Sequence, residues 1–149
     1  MDLDFFNMPI VIAENPPRSL WQALGRGFRM KCPNCGIGPL FRKYLKVAPA
    51  CSNCGEALHH HRADDAPPYF TILVVGHAIV PMVLAVEMAY RPALWIHAAL
   101  WFPMTLFLAM SVLPLIKGAL VSHQWALYMH GFDPRDQEER DGLETEPVG

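Results

Sequence analysis

"MKCPNCGIGPLFRKYLKVAPACSNCG", residues 30 to 55, holds all four cysteines of the chain, spaced Cys32-x2-Cys35-x15-Cys51-x2-Cys54. That spacing lies within the range that reads as a metal site. Two cysteines three apart both point inward from one tight turn. Gly36 and Gly55 directly follow the second cysteine of each pair, where the chain needs φ > 0. Four thiolates about 2.3 Å from a zinc ion saturate it tetrahedrally and leave no open position. Cys32, Cys35, Cys51 and Cys54 are therefore the expected metal ligands, and structural zinc is the expected cofactor. Iron in a rubredoxin-like site would use the same four thiolates. Zinc with four thiolates carries a double negative charge, which Arg29, Lys31, Arg42, Lys43 and Lys46 are placed to offset. Cys32-Pro33-Asn34-Cys35 also has the form of a dithiol redox centre. Such a centre uses one pair beside a strand–helix unit, and here the pair is duplicated with no such unit in view. A module of roughly 25 residues is too small to fold on a core of its own, so metal is expected to be part of its fold.

Beyond the cysteines the chain turns apolar. Of 149 residues, 52% are hydrophobic and only 17% charged, against a usual charged share of roughly 25%. The excess lies mostly between Tyr69 and Tyr128. From Tyr69 to about Ala89 the chain reads YFTILVVGHAIVPMVLAVEMA, long enough to cross a hydrocarbon core of roughly 30 Å. Tyr90-Arg91-Pro92 forms a turn, and a second span runs from Leu94 to about Leu120. The expected fold is a small four-cysteine zinc-ribbon module (residues 30–56), a polar linker (57–68), and an α-helical transmembrane hairpin of two helices (69–120). A soluble domain with two buried helices is the alternative.

Both ends are distinct. Residues 1–29 read as an N-terminal arm followed by a short amphipathic helix, with Ser19 as N-cap and Leu20, Trp21, Leu24 and Phe28 near one face. That helix either lies on the membrane surface or packs on the ribbon. Gly25 and Gly27 each weaken it by about 1 kcal/mol. Residues 121–149 read as a cytoplasmic end with an acidic, disordered tail; from Gly131 on there are seven acids against two bases. The first residues lack the basic start of a secretory signal, so the spans are expected to act as their own targeting signal. Eleven of the twelve Lys and Arg residues lie outside the turn, and only Arg91 lies in it. Positive charge marks the cytoplasmic side, which places both termini there. Tyr69, Tyr90, Trp95 and Tyr128 fall near expected interfaces.

Several stretches resemble the bacterial membrane family catalogued as domain of unknown function 983. They are Lys31 to Phe41, Leu45-Lys46-Val47, Cys51 to Gly55, Asp64-Asp65-Ala66-Pro67, and Tyr69 through Pro81. The likeness covers about residues 19 to 125, with Ala66 where the family has Gly and Lys31 where it has Arg. It implies a zinc-ribbon head on two helices in the bacterial inner membrane. In alphaproteobacteria, genes of the family it resembles often lie beside those for cytochrome c oxidase subunits and assembly factors. That implies a role in building the respiratory oxidase.

Polar residues inside the spans are candidates for function. Pro81 cannot donate to the His77 carbonyl, so a kink is expected there, with Ser111 at similar depth as a bonding partner for His77. Glu87, Arg91 and His97 are expected to form a polar cluster at the turn, and Lys117 to reach the cytoplasmic headgroups. His59-His60-His61 reads as linker, and Asp64-Asp65 as charge complement to a helix start. There is no nucleophile–base constellation, no Gly-rich phosphate loop and no HExxH, so no enzyme is expected. The basic residues flank a membrane, which argues against nucleic acid. A membrane-anchored interaction or assembly protein is the leading reading. Its partners would be the lipid bilayer, a membrane protein complex and other copies of itself. Zinc or copper delivery is the alternative.

Overall fold

Pro67 and Pro68 sit in the first turn of a helix, where a missing N–H costs nothing. The helix they open, residues 66–90, is the first of two long helices in the computed structural model. It describes residues 15–61 and 66–134. The early arm, Asp64-Asp65 and the acidic tail lie outside the described residues. The element order is α1 (Leu20–Phe28), β1 (Phe41–Lys43), β2 (Lys46–Val47), α2 (Ala66–Tyr90) and α3 (Leu94–Ala126). At 1.5 Å per residue α2 is about 37 Å long and α3 about 50 Å, against a hydrocarbon core of roughly 30 Å. Both are long and apolar enough to cross a membrane, and their most apolar windows are 17% and 0% buried. Helices in the core of a soluble domain would be mostly buried, and these windows are not. Thr71, Val75 and Ile79 form the α2 stripe buried in the hairpin.

α3 outruns α2, and its last turns carry the rest of the molecule. Val121, fully buried, completes the ribbon core of Cys32, Leu40, Val47, Cys51 and Leu58. Trp125 and Ala126 pack with Ala23, Leu20 and Phe132. α1 therefore packs on the end of α3. The crossing is close: a Cβ on Gly118 would stand 2.3 Å from the Gly27 carbonyl oxygen, and one on Gly27 would stand 2.4 Å from that of Gly118. Gly27, read from sequence as a weakness, is what lets the helices meet.

Three boundaries differ from expectation. The linker assigned to 57–68 gives up both ends: Ala57 bridges Ala50 and Leu58 is fully buried in the ribbon, while Ala66–Pro68 begin α2. The second helix, expected to end near Leu120, runs on to Ala126, so the end assigned to 121–149 starts as helix. Both α1 and α3 stop in the same way. Met30 (φ 56) donates to the Gly27 carbonyl and Lys31 to that of Arg26; Tyr128 (φ 56) donates to Trp125 and Met129 to Gln124. These are Schellman closures with a non-glycine residue in the left-handed position.

The β1–β2 hairpin lies against α3. Pro114 has no N–H, which frees the Met110 carbonyl one turn earlier. Tyr44, in the hairpin turn, donates its hydroxyl to that carbonyl at 2.7 Å. Lys117 donates to the Leu45 carbonyl at 2.7 Å. Tyr44→Phe is expected to lower thermal stability in detergent by about 1 kcal/mol. In a Pro114→Ala background the same change should cost much less, because the alanine N–H then satisfies Met110. An equal cost in both backgrounds would contradict this pairing.

Candidate metal centre

The two cysteine turns are built alike. In the first, Cys32 N–H donates to Gly38 (2.8 Å) and Gly36 N–H to Cys32 (2.9 Å). In the second, Cys51 N–H donates to Glu56 (2.9 Å) and Gly55 N–H to Cys51 (3.0 Å). Gly36 and Gly55 take φ of 71° and 75°, as the spacing required. Gly38 was not singled out in the sequence, yet a Cβ there would stand 2.5 Å from Cys51 Sγ. The signal was its place two residues after Gly36.

These turns bring the four thiols together. Their sulfurs all lie within 4.8 Å of one another, with Cys32–Cys54 at 3.8 Å and Cys35–Cys51 at 3.7 Å. A tetrahedron with bonds of 2.3 Å has edges of about 3.8 Å. The four cysteines are thus positioned to hold a metal ion. The backbone N–H groups of Ile37 and Asn53 point at Cys35 and Cys51, each at 3.5 Å, and Asn34 Nδ2 lies 3.9 Å from Cys54. Such donors stabilise thiolate charge. Hydrogen bonds from Gly38 and Ile37 lower the Cys35 thiol to about 6, whereas burial pushes the Cys32 and Cys54 thiols up.

Of the bases expected to offset this charge, Lys31 donates to the Ile37 carbonyl at 3.3 Å. Arg42, Lys43 and Lys46 are exposed on the hairpin. A cation not foreseen also reaches the first cysteine turn: Arg26 of α1 donates to the carbonyls of Pro33 (2.8 Å) and Asn34.

Sequence reading also missed the clamp that fixes the ribbon to α3. Glu56, next to Gly55, accepts from Trp125 Nε1 at 2.7 Å through one oxygen and from Asn34 Nδ2 at 2.8 Å through the other. The Arg18 guanidinium lies 3.9 Å from the first oxygen, donates to the Trp125 carbonyl at 2.6 Å, and stacks on the rings of Trp125 and Tyr128 at 4.1 and 3.9 Å. Cation–π contacts of this kind are worth about 0.5–2 kcal/mol each. Arg18 and Trp125 stand 107 positions apart, and no local pattern marks such a pair.

The other candidates stay apart from the thiols. His59 and His61 bond to the backbone carbonyls of Pro49 and Leu58. His77 and Ser111 do not meet; each bonds a carbonyl of its own helix, Leu73 and Phe107. At the turn, Glu87 and His97 pair at 3.0 Å, joined not by the Arg91 side chain but by Trp101, whose Nε1 donates to His97 Nδ1 at 3.0 Å. Indole only donates. His97 Nδ1 is therefore an acceptor, and Nε2 carries the proton given to Glu87. Neither ring nitrogen is left to ligate a metal.

A four-thiol metal ribbon held on a two-helix hairpin of membrane length is the class that this fold and site define. The chain belongs to the family described as Protein of unknown function (DUF983), whose model matches residues 41–125, more than half of its length. The match takes in the second cysteine pair and both long helices, and the first pair precedes it. No curated protein and no solved structure matches the chain.

Binding of a divalent metal must displace protons from Cys32 and Cys54, whose thiols are raised, and below about pH 6 also from Cys35. Metal affinity is therefore expected to rise with pH near neutrality, and more steeply in acid. Competition titrations with a chromophoric chelator between pH 5.5 and 7.5 would measure it. A flat profile would contradict the thiol assignment.

Proposed function

We propose that the chain is a non-enzymatic, membrane-anchored interaction and assembly protein, with structural zinc in a ribbon on the cytoplasmic face of the bacterial inner membrane. Closure of the thiol site carries this reading: the four sulfurs face one another at tetrahedral spacing, which fills a metal's coordination and leaves no position for a substrate. The metal then serves shape, and the ribbon it shapes is locked to α3 through Glu56 and Val121. Charge supports the orientation, since Arg91 is the one base in the turn. In this reading α2 and α3 cross the bilayer, and both termini are cytoplasmic. The complex served is the respiratory cytochrome c oxidase, toward which the family likeness points.

One observation favours a second reading, delivery of zinc or copper. Cys54 is exposed, so an acceptor protein has access to one ligand. Delivery requires the metal to pass to a competing chelator within minutes, whereas a structural role requires it to stay.

Tagged protein drawn from native membranes in mild detergent tests the proposal, with Cys32→Ser/Cys35→Ser as the comparison. Oxidase subunits or assembly factors are expected with the wild type and not with the variant. Recovery of the protein alone, as a stable homo-oligomer, would overturn the assembly role.

A further inference from the structure

Between the β1–β2 hairpin and α3 lies a cleft of about 240 Å³, lined by Met30, Arg42, Lys43, Tyr44, Leu45 and Pro114. Its depth follows from the bonds that hold the hairpin. Taking Leu94 as the far edge of the hydrocarbon, a 30 Å core at 1.5 Å per residue ends about 20 residues on, at Pro114. The same count along α2 from Tyr90 ends at Phe70. Met110, which accepts from Tyr44, then lies about 6 Å inside that edge, and Lys117, which donates to Leu45, about 4–5 Å outside it. The hairpin turn thus sits in the headgroup layer, roughly 5–7 Å thick on each side.

The chemistry of the cleft changes across this layer. Pro114, Leu45 and the exposed side chain of Met30 offer apolar surface. Arg42 and Lys43 are exposed, and neither has an ion-pair partner among the described residues. Tyr44, anchored by its hydroxyl, leaves half its surface open, as aromatic side chains do at this level.

We propose that this cleft binds one anionic phospholipid. Arg42 and Lys43 hold its phosphate, and its glycerol and upper acyl carbons lie against Met30, Leu45 and Pro114. The site rests on the reading of α2 and α3 as membrane-crossing and is independent of the protein partner. It gives the basic hairpin a role that the metal site does not: reading the charge of the bilayer on which the ribbon rests.

The test uses the full, metal-loaded chain in nanodiscs of equal phosphatidylcholine and phosphatidylglycerol. Native mass spectrometry counts the lipid retained on ejection. The wild type is expected to keep one phosphatidylglycerol in preference to phosphatidylcholine. Arg42→Gln/Lys43→Gln should weaken that preference by about fivefold for each base removed, and the exchange Arg42→Lys/Lys43→Arg should keep it. Raising salt should weaken the wild-type preference without any substitution. Equal retention of both lipids by the wild type, a preference untouched by salt, or one unchanged in the Gln pair would overturn the proposal. Failure of the wild type to enter nanodiscs would overturn the membrane-crossing reading itself.

Discussion

The Glu56 carboxylate is held from three directions. Trp125 donates to one oxygen, Asn34 to the other, and the Arg18 guanidinium stands beside the first. A carboxylate taken partly out of water needs such partners, because leaving it unpaired costs several kcal/mol. Each partner belongs to a different part of the chain: Asn34 to the first cysteine turn, Trp125 to the end of α3, Arg18 to the segment before α1. Glu56 itself follows the second cysteine turn, and its carbonyl accepts from Cys51. The thiol site places Glu56, and Glu56 places the helices.

This explains why α3 exceeds the length a membrane requires. Its extra turns are the floor of the ribbon head. Val121 plugs a ribbon too small for a core of its own; burying such a side chain contributes about 1.5–3 kcal/mol. Gly118 and Ser122 let α1 approach, and Trp125 receives both α1 and Glu56. Ribbon and hairpin are therefore not a head on a flexible tether. Tyr44 and Lys117 add a second attachment lower down, made possible by the carbonyl that Pro114 frees.

The metal site and the hairpin were legible because their signals are local. Cysteine spacing reports a shared ion, and a run of apolar residues reports a span. Helix ends were less so: Met30 and Tyr128 occupy left-handed positions where glycine is the usual marker. Tyr128 holds its place because its ring covers Arg18. The small residues were misread for the same reason, since Gly27 looks like a defect until Gly118 is beside it. The expected bond between His77 and Ser111 fails because each finds a nearer acceptor in its own helix. Arg18, Glu56 and Trp125 act over long sequence separations that no periodicity records.

The central claim is that metal in the ribbon, acting through Glu56, orders α1 and the end of α3 as one body. Amide hydrogen exchange of the full chain, with metal bound and after its removal, tests it most directly. The account predicts that removal strips protection from residues 20–28 and 118–126 while residues 95–109 stay protected by their helix in the apolar layer. Unchanged protection of 118–126 in the metal-free protein would contradict it.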